Sequence, residues 1–387
     1  MGAASLLTTG VSALGPMLST GLDLSRAQFG AFAVVLFTST ALLSVPFGRW
    51  VDGMNYRVGL AMNFGLALLA LLTLATAVSY SGFIGSAVLG GAALAFSNPL
   101  TNRMVGLLSD PVRQGSLIAT KQIGPQVSQI ITATLYPAVA AVLTWRAGFG
   151  LGAILLSLVL AAVLLWLLPR VKGQPQRHEA TLKEENTRRL AHPKRGLTVF
   201  TVFALLSGVV YQTVFFTLPL FAHEQLHFEP GLAALTGGVL GATGLLARLA
   251  WGALADRLTN YTTALVVIGA LTVTSVLLFL AAGAFEISWA LWTGAAVFGA
   301  SGTAVTVLLT SALLRYYPPE RAGTATGLVS MGTFVGFASG PFLFGAMADS
   351  IGYADAWTAV AVVAAVATIL PFAVGPQRSR TKAPTLS

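Results

Sequence analysis

Gly48-Arg49-Trp50-Val51-Asp52 closes one long apolar segment of this chain, and Gly252-Ala253-Leu254-Ala255-Asp256-Arg257 closes another, 204 residues later. Both read G-x-x-x-D, both follow a hydrophobic run of membrane length, and both precede a fresh one. A soluble enzyme has no reason to repeat that arrangement. A membrane protein made by duplicating one half has a reason, because such folds carry weak internal symmetry around a site near the midplane.

Composition agrees. The chain has 387 residues, of which 55% are hydrophobic and only 9% charged, and its mean hydropathy is +0.79. Globular domains run near a quarter charged. The apolar residues come in runs long enough to cross a hydrocarbon core of about 30 Å as helices. In a soluble protein the net charge of +9 would suggest nucleic acid; here it is explained by loop orientation, and no nucleic-acid partner is expected. With no cysteine, disulfides and thiolate metal sites are excluded. His178, His192, His223 and His227 all fall in polar connections, where solvated side chains are expected rather than a metal site. No metal or cofactor is expected.

Twelve hydrophobic segments can be drawn, at 2–20, 28–48, 58–79, 82–107, 115–140 and 147–168, then 197–222, 231–254, 262–282, 288–314, 323–347 and 356–375. The first lacks the basic start and small-residue cleavage site of a signal peptide and is read as a retained helix, compatible with a chain shortened at its start. Lys and Arg set the orientation. One set of loops, with the middle connection and the tail, holds seventeen cations, including Arg49, Arg57, Arg113, Arg257, Arg315 and Arg321, whereas the opposite loops hold only Arg26 and Arg146. The positive-inside rule puts both termini in the cytoplasm. The seven tryptophans lie near segment ends, where amphipathic rings prefer the interface.

Residues 170–195 carry eleven charges in twenty-six positions and cannot bury enough apolar surface to fold alone. They read as a cytoplasmic linker, with an amphipathic piece near Leu182–Leu190 resting on the anionic leaflet as an alternative. The expected organisation is a first six-helix half at 1–169, the linker at 170–195 and a second half at 196–387.

A plan of six plus six helices, a charged middle loop and G-x-x-x-D after the second and eighth segments resembles the major facilitator superfamily over nearly the whole chain. That family's loop signature is G-x-x-x-D-R-x-G-R-R. The first copy matches at Gly48, Asp52 and Arg57 but has Gly53 and Asn55 where the family favours Arg and Gly; the second keeps Gly252, Asp256 and Arg257. A second family feature, P-x-x-R-x-G, is found in looser form as Pro111-Val112-Arg113-Gln114-Gly115, and recurs as Pro318-Pro319-Glu320-Arg321-Ala322-Gly323. Within the superfamily, Asn98-Pro99-Leu100-Thr101-Asn102-Arg103, Lys121-Gln122-Ile123-Gly124 and the Tyr353–Trp357 stretch are similar to bacterial carriers of the cyanate/nitroimidazole-transporter type. The resemblance implies an all-α membrane protein of twelve transmembrane helices in two pseudo-symmetric six-helix bundles, in a bacterial inner membrane, working by alternating access and functional as a monomer. It also implies that Asp52 latches toward the eleventh segment, with Arg113 and Asp110 as partners. The alternative is that these are topogenic loop charges.

All thirteen acids lie in loops or at segment ends. Three bases lie inside segments: Arg103, Lys121 and Arg248. At 1.5 Å per residue, Arg103 is about 6 Å, Lys121 about 9 Å and Arg248 about 12 Å from the nearest segment end. An unpaired cation at the bilayer centre costs at least about 2.5–3.5 kcal/mol, so these side chains should face a wet cavity, find a partner or snorkel. Under the internal repeat Arg248 corresponds to Ser44, Arg103 to Ser311 and Lys121 to Val329. The scaffold thus accepts a neutral residue at each equivalent position.

Arg248-x-x-x-Gly252 resembles the eighth-helix arginine with which monocarboxylate and oxalate carriers hold a carboxylate. Arg103 has a structural alternative, in which it bonds carbonyls near a helix turn. Gln122, Gln126 and Gln129 share one face of the fifth segment, Asn98 and Asn102 one of the fourth, and Tyr211 and Gln212 lie mid-way along the seventh. Such polar stripes often only join helices. The expected substrate contacts are Arg248, Lys121 and Arg103, then Gln122, Gln126, Asn102 and Tyr211. The leading expectation is a secondary transporter of a small organic or inorganic anion. Efflux of a neutral or hydrophobic drug and a non-transporting membrane sensor are the alternatives. There is no Walker loop, HExxH, GxSxG or buried acid pair to suggest an enzyme.

Overall fold

A computed structural model describes residues 1–52, 54–108, 123–163, 165, 194–255, 261–316 and 319–374. The described residues are helical throughout: α1 (Gly2–Ala13), α2 (Gly15–Gly21), α3 (Arg26–Asp52), α4 (Tyr56–Ala75), α5 (Tyr80–Leu108), α6 (Gly124–Val142) and α7 (Trp145–Ala162) precede the middle connection. After it come α8 (Lys194–Leu226), α9 (Pro230–Ala255), α10 (Tyr261–Phe285), α11 (Ser288–Gly302), α12 (Ala304–Tyr316), α13 (Pro319–Ser350) and α14 (Tyr353–Ile369). Ten stretches among the described residues are long and apolar enough to cross a membrane. The chain is an all-α, multi-pass membrane protein, as its composition demands. Residues 166–193, most of the expected linker, lie outside the described residues.

Two expected segments are each divided in two. The first breaks at Leu14, because Pro16 has no N–H to continue the ladder and instead sits in the first turn of α2, where none is needed. Leu14 and Leu18 still donate to the carbonyls of Gly10 and Leu14, so the bend leaves these amides paired inside the helix pair. The tenth breaks at Thr303, whose hydroxyl bonds the Gly299 carbonyl at 2.8 Å. The departure from the family loop signature also has a local cause. Asn55 caps α4, its side chain accepting from the Arg57 N–H, a role glycine fills less well.

Packing repeats between the two parts of the chain. The α1/α6 pair of the first corresponds to α8/α13 of the second, and α3/α5 corresponds to α9/α11. The parts meet along two seams exchanged by the same relation, α3 against α13 and α6 against α9, with α1 beside α8 on the axis. Across that axis the Ser12 hydroxyl donates to the Phe215 carbonyl at 2.7 Å.

Helix α13 is held at backbone distance on both sides. Gly332, Gly336 and Gly340 recur every four residues along α13 and face the carbonyls of Thr201, Leu205 and Val209 on α8. A Cβ added at Gly336 would fall 2.2 Å from the Leu205 oxygen, where only backbone can give way. On its other side the Pro341 carbonyl lies against Gly30 of α3. Phe29 and Phe32 meet Phe216, and Phe37 meets Phe337 at 5.2 Å. These contacts run from Arg26 to Phe37. Further along the same face of α3, Ala41 and Val45 are exposed and a Cβ at Gly48 would meet nothing within 4 Å, so the halves close at the Arg26 end and part toward Asp52.

Gly336→Ala should lower stability by about 1–3 kcal/mol through overpacking, read as a drop in melting temperature in detergent. Gly327→Ala, whose added methyl meets nothing within 4 Å, should melt like the parent. Equal melting of both variants would refute the seam as a tight backbone contact.

Candidate functional site

Tyr211 sits half-way along the membrane span of α8, Gly196–Leu226. Its ring stacks on Phe215 and Phe298 and tilts against Phe337, with centroids 5.9, 6.1 and 5.6 Å away. Three helices of the second half thus converge on one aromatic wall. The Tyr211 hydroxyl lies within electrostatic reach of the Arg248 guanidinium of α9. Both side chains are half-buried. Arg248 lies seven residues before the end of α9, about 10 Å along the axis.

Gln126 and Gln129 of α6 come to the same region from the other half and are buried, at 2% and 4% exposure. Gln129 packs where α9 carries only glycine, since a Cβ at Gly241 would come within 3.2 Å of its side chain. Because α6 and α9 run antiparallel, Gln126 lies one turn nearer the level of Arg248. Arg248, Tyr211 and the glutamine stripe therefore share one inter-half region at mid-depth. On α1 and α8, which meet at the axis, three polar atoms have no hydrogen-bond partner among the described residues: the Thr8 and Thr213 hydroxyls and the Gln212 amide nitrogen. Each such buried group costs about 1–3 kcal/mol while unmatched. Thr8 is one turn before Ser12, on the face of α1 turned toward α8. Nothing in the sequence pattern marked it, because a lone threonine in an apolar run is ordinary. A small pocket also adjoins Tyr211, within the second half, lined by Phe203, Ser207, Thr272, Phe298 and Thr368 among others.

Arg103 is placed differently. Its Nη1 donates to the carbonyls of Val51 and Met54, on either side of the turn that ends α3, beside the buried Val51, Phe96 and Leu100. Arg57 follows the Asn55 cap, with its guanidinium 6.0 Å from the Tyr56 ring. A Cβ added at Gly48 would meet nothing within 4 Å, so no contact in this state requires that glycine. Asp52 ends α3, Asn102 lies in α5, Gly252 in α9 and Arg321 in the first turn of α13, and of these only the helical placement is described. Lys121, Gln122, Arg113, Asp256 and Arg257 lie outside the described residues.

Two packed helical halves exchanged by an internal repeat, with polar side chains gathered between them at mid-depth, define a membrane transporter that works by alternating access. The family model of the Major Facilitator Superfamily matches residues 1–327 and again 286–386, and the chain belongs to that superfamily. No curated protein sequence matches the chain significantly. Among solved structures, it is similar to a bacterial homolog of the human lysosomal transporter Spinster in two inward-facing conformations. The occupied form has 15% identity and a TM-score of 0.73, covering 96% of this chain and 94% of the other; the unoccupied form has 14% identity and a TM-score of 0.76 with the same coverage. The nucleoside transporter NupG, in a single-residue mutant form, has 14% identity and a TM-score of 0.76, covering 97% of this chain and 98% of the other. At these identities the likeness is one of fold.

Arg103→Met should cost about 1–3 kcal/mol of stability, as two carbonyls lose their donor, and leave solute binding by the folded fraction unchanged. A variant that melts like the parent yet no longer binds would return Arg103 to the solute.

Proposed function

We propose that this transporter carries a small organic or inorganic anion, with Arg248 as its principal contact. The observation that carries the reading is the Arg248–Tyr211 pair: a guanidinium within electrostatic reach of a tyrosine hydroxyl on a buried aromatic wall, inside the membrane-spanning region. In a low-dielectric cavity one such cation raises anion affinity and repels cations far more than it would in water. Its planar fork also suits a carboxylate. Lys121, from the other half, is the proposed second cation, and Gln122, Gln126 and Asn102 the proposed polar lining. Arg103 we assign to the turn after α3.

On the family resemblance we place the molecule in a bacterial inner membrane as a monomer, and on the distribution of Lys and Arg over its loops we place both termini in the cytoplasm. On that reading the opening toward Asp52 faces the cytoplasm. The signature residues Gly48, Asp52, Arg57 and Arg113, with Gly252, Asp256, Arg257 and Arg321 of the second copy, then form gates on that side. The Asn98–Arg103 and Lys121–Gly124 stretches support kinship with cyanate/nitroimidazole-type carriers. With no acid deep inside a span, a mid-membrane carboxylate is not the proton carrier, which favours anion exchange, facilitated diffusion or a proton carried on the substrate. A second reading, efflux of a neutral hydrophobic compound, draws on the same Tyr211, Phe298 and Phe337 wall and the adjoining apolar cavity.

Thermal-shift titration of the purified protein with small carboxylates, inorganic anions and hydrophobic drugs separates the two. Arg248→Ala should weaken anion binding at least about tenfold, the scale of one lost charge-assisted hydrogen bond. Arg248→Lys should recover little of it, and Tyr211→Phe should cost a few-fold. Lys121→Ala should weaken binding non-additively with Arg248→Ala if both touch one ligand. Anion shifts that survive both alanine variants, or shifts with drugs alone, would promote the second reading.

A further inference from the structure

We propose that Arg26, Glu224, Asp349 and Tyr353 form a latch that holds the two halves shut at one end, so that the empty carrier rests open at the opposite end, toward Asp52. The inference needs only the alternating-access fold and is independent of the solute.

The latch begins with the first turn of α3, whose leading backbone N–H groups have no partner within the helix. Ser25 and Gln28 form a reciprocal capping box: the Gln28 N–H donates to the Ser25 hydroxyl at 3.1 Å, and the Ser25 N–H to the Gln28 side-chain oxygen at 2.9 Å. That leaves the N–H groups of Arg26 and Ala27, and neither is satisfied from its own half. Both donate to the two carboxylate oxygens of Asp349, at 3.2 and 2.9 Å, from the end of α13 in the second half. A carboxylate is also the charge that a helix N-terminus favours.

The Arg26 side chain binds the same half three more times. Its Nε donates to Glu224 of α8 at 2.7 Å, its Nη1 to Asp349 at 3.4 Å and to the Ala348 carbonyl at 3.3 Å. Its guanidinium lies 4.8 Å from the Tyr353 ring of α14, and the Tyr353 hydroxyl donates to the same Glu224 oxygen at 3.0 Å. One residue of the first half thereby ties down three helices of the second. The approach is backbone-close, since a Cβ at Gly345 would fall 2.2 Å from the Arg26 carbonyl oxygen. These side chains remain about a third exposed, so single pairs count for little. Their strength is as a network that shares one guanidinium and one helix terminus.

The internal repeat shows that the fold does not need this cluster. At the offsets of the two halves, Arg26 corresponds to Pro230, Glu224 to Thr20, Asp349 to Ala141 and Tyr353 to Trp145. The equivalent seam, α6 against α9, is made instead by Gln129 and Ala133 on glycines. The latch is therefore an addition to one seam only, on the face whose loops carry few cations. Separating the halves there removes together every bond that Arg26 and Ala27 make to Glu224, Ala348 and Asp349, so the state closed at this end is the one they favour.

The chain has no cysteine, so paired spin labels can be placed without background. Val78→Cys and Phe285→Cys put one exposed label on each half in connections on the latch face. Distances are measured in nanodiscs with no solute added, after confirming a monodisperse, cooperatively melting protein. The parent should give one short-distance population. Arg26→Met should raise the long-to-short ratio roughly tenfold, as expected for two partly exposed pairs lost while the backbone cap remains, and Arg26→Lys should fall between. Should Arg26→Met not fold, Glu224→Gln with Asp349→Asn removes both ion pairs while keeping the arginine. Arg146→Met, on the same face but bonded to Ala77 of its own half, should match the parent. Distances unchanged from the parent in both latch variants, or an equal change with Arg146→Met, would overturn the proposal.

Discussion

Helix α13 has no room for a methyl group on either of the faces that join the protein together. Toward α8 its glycines lie on carbonyl oxygens, and toward α3 its backbone lies on Gly30 and the Arg26 carbonyl. In a bilayer the lipid is as apolar as any side chain, so helices gain little from hydrophobic contact and associate through close packing and hydrogen bonds. Proximity at α13 is therefore the condition for much of what lies around it. It brings Phe337 onto Tyr211 and Phe37, and Asp349 onto the start of α3. Because the same helix is packed on its own half and on the other, its position on α8 is fixed while its position on α3 is the one that can be exchanged.

The two functional features answer to different physics. In the proposed Arg248–Tyr211 site a half-buried guanidinium would act through a local dielectric lower than that of water. The Arg26 cluster is partly wet, and its strength comes from the number of bonds broken together. A carrier needs both kinds. A site too strongly charged for its surroundings would not release its solute, and a gate sealed by one deep ion pair would not open.

Much of the architecture was legible in the sequence because it rests on periodic and repeated features. The G-x-x-x-D copies at Gly48 and Gly252 gave the duplication, the apolar runs gave the helices, and a charge at Arg248 within an apolar run marked the candidate contact proposed above. The latch was hidden by distance. Arg26 and Asp349 are 323 residues apart, each sits where a loop charge is unremarkable, and the deciding fact is that two N–H groups of α3 lack partners, which depends on the capping box beside them. Arg103 was legible as a buried cation but not as the donor to the turn at Val51 and Met54, since both outcomes satisfy the same desolvation penalty. Asn55 read as a departure from a signature and proved to be a helix cap, a role that local chemistry predicts once the helix start is known. The glycine ladder at 332, 336 and 340 was overlooked because a glycine contributes no side chain to a polarity pattern.

The shared cap at α3 has one more consequence. Two amide hydrogens, at Arg26 and Ala27, are bonded only while the halves are together, and opening hands them to water. The stability of this single turn is then set by the arrangement of the whole molecule rather than by its own sequence. Amide exchange at those two positions would report the gate's opening equilibrium directly, in unlabelled protein and with no knowledge of what is carried.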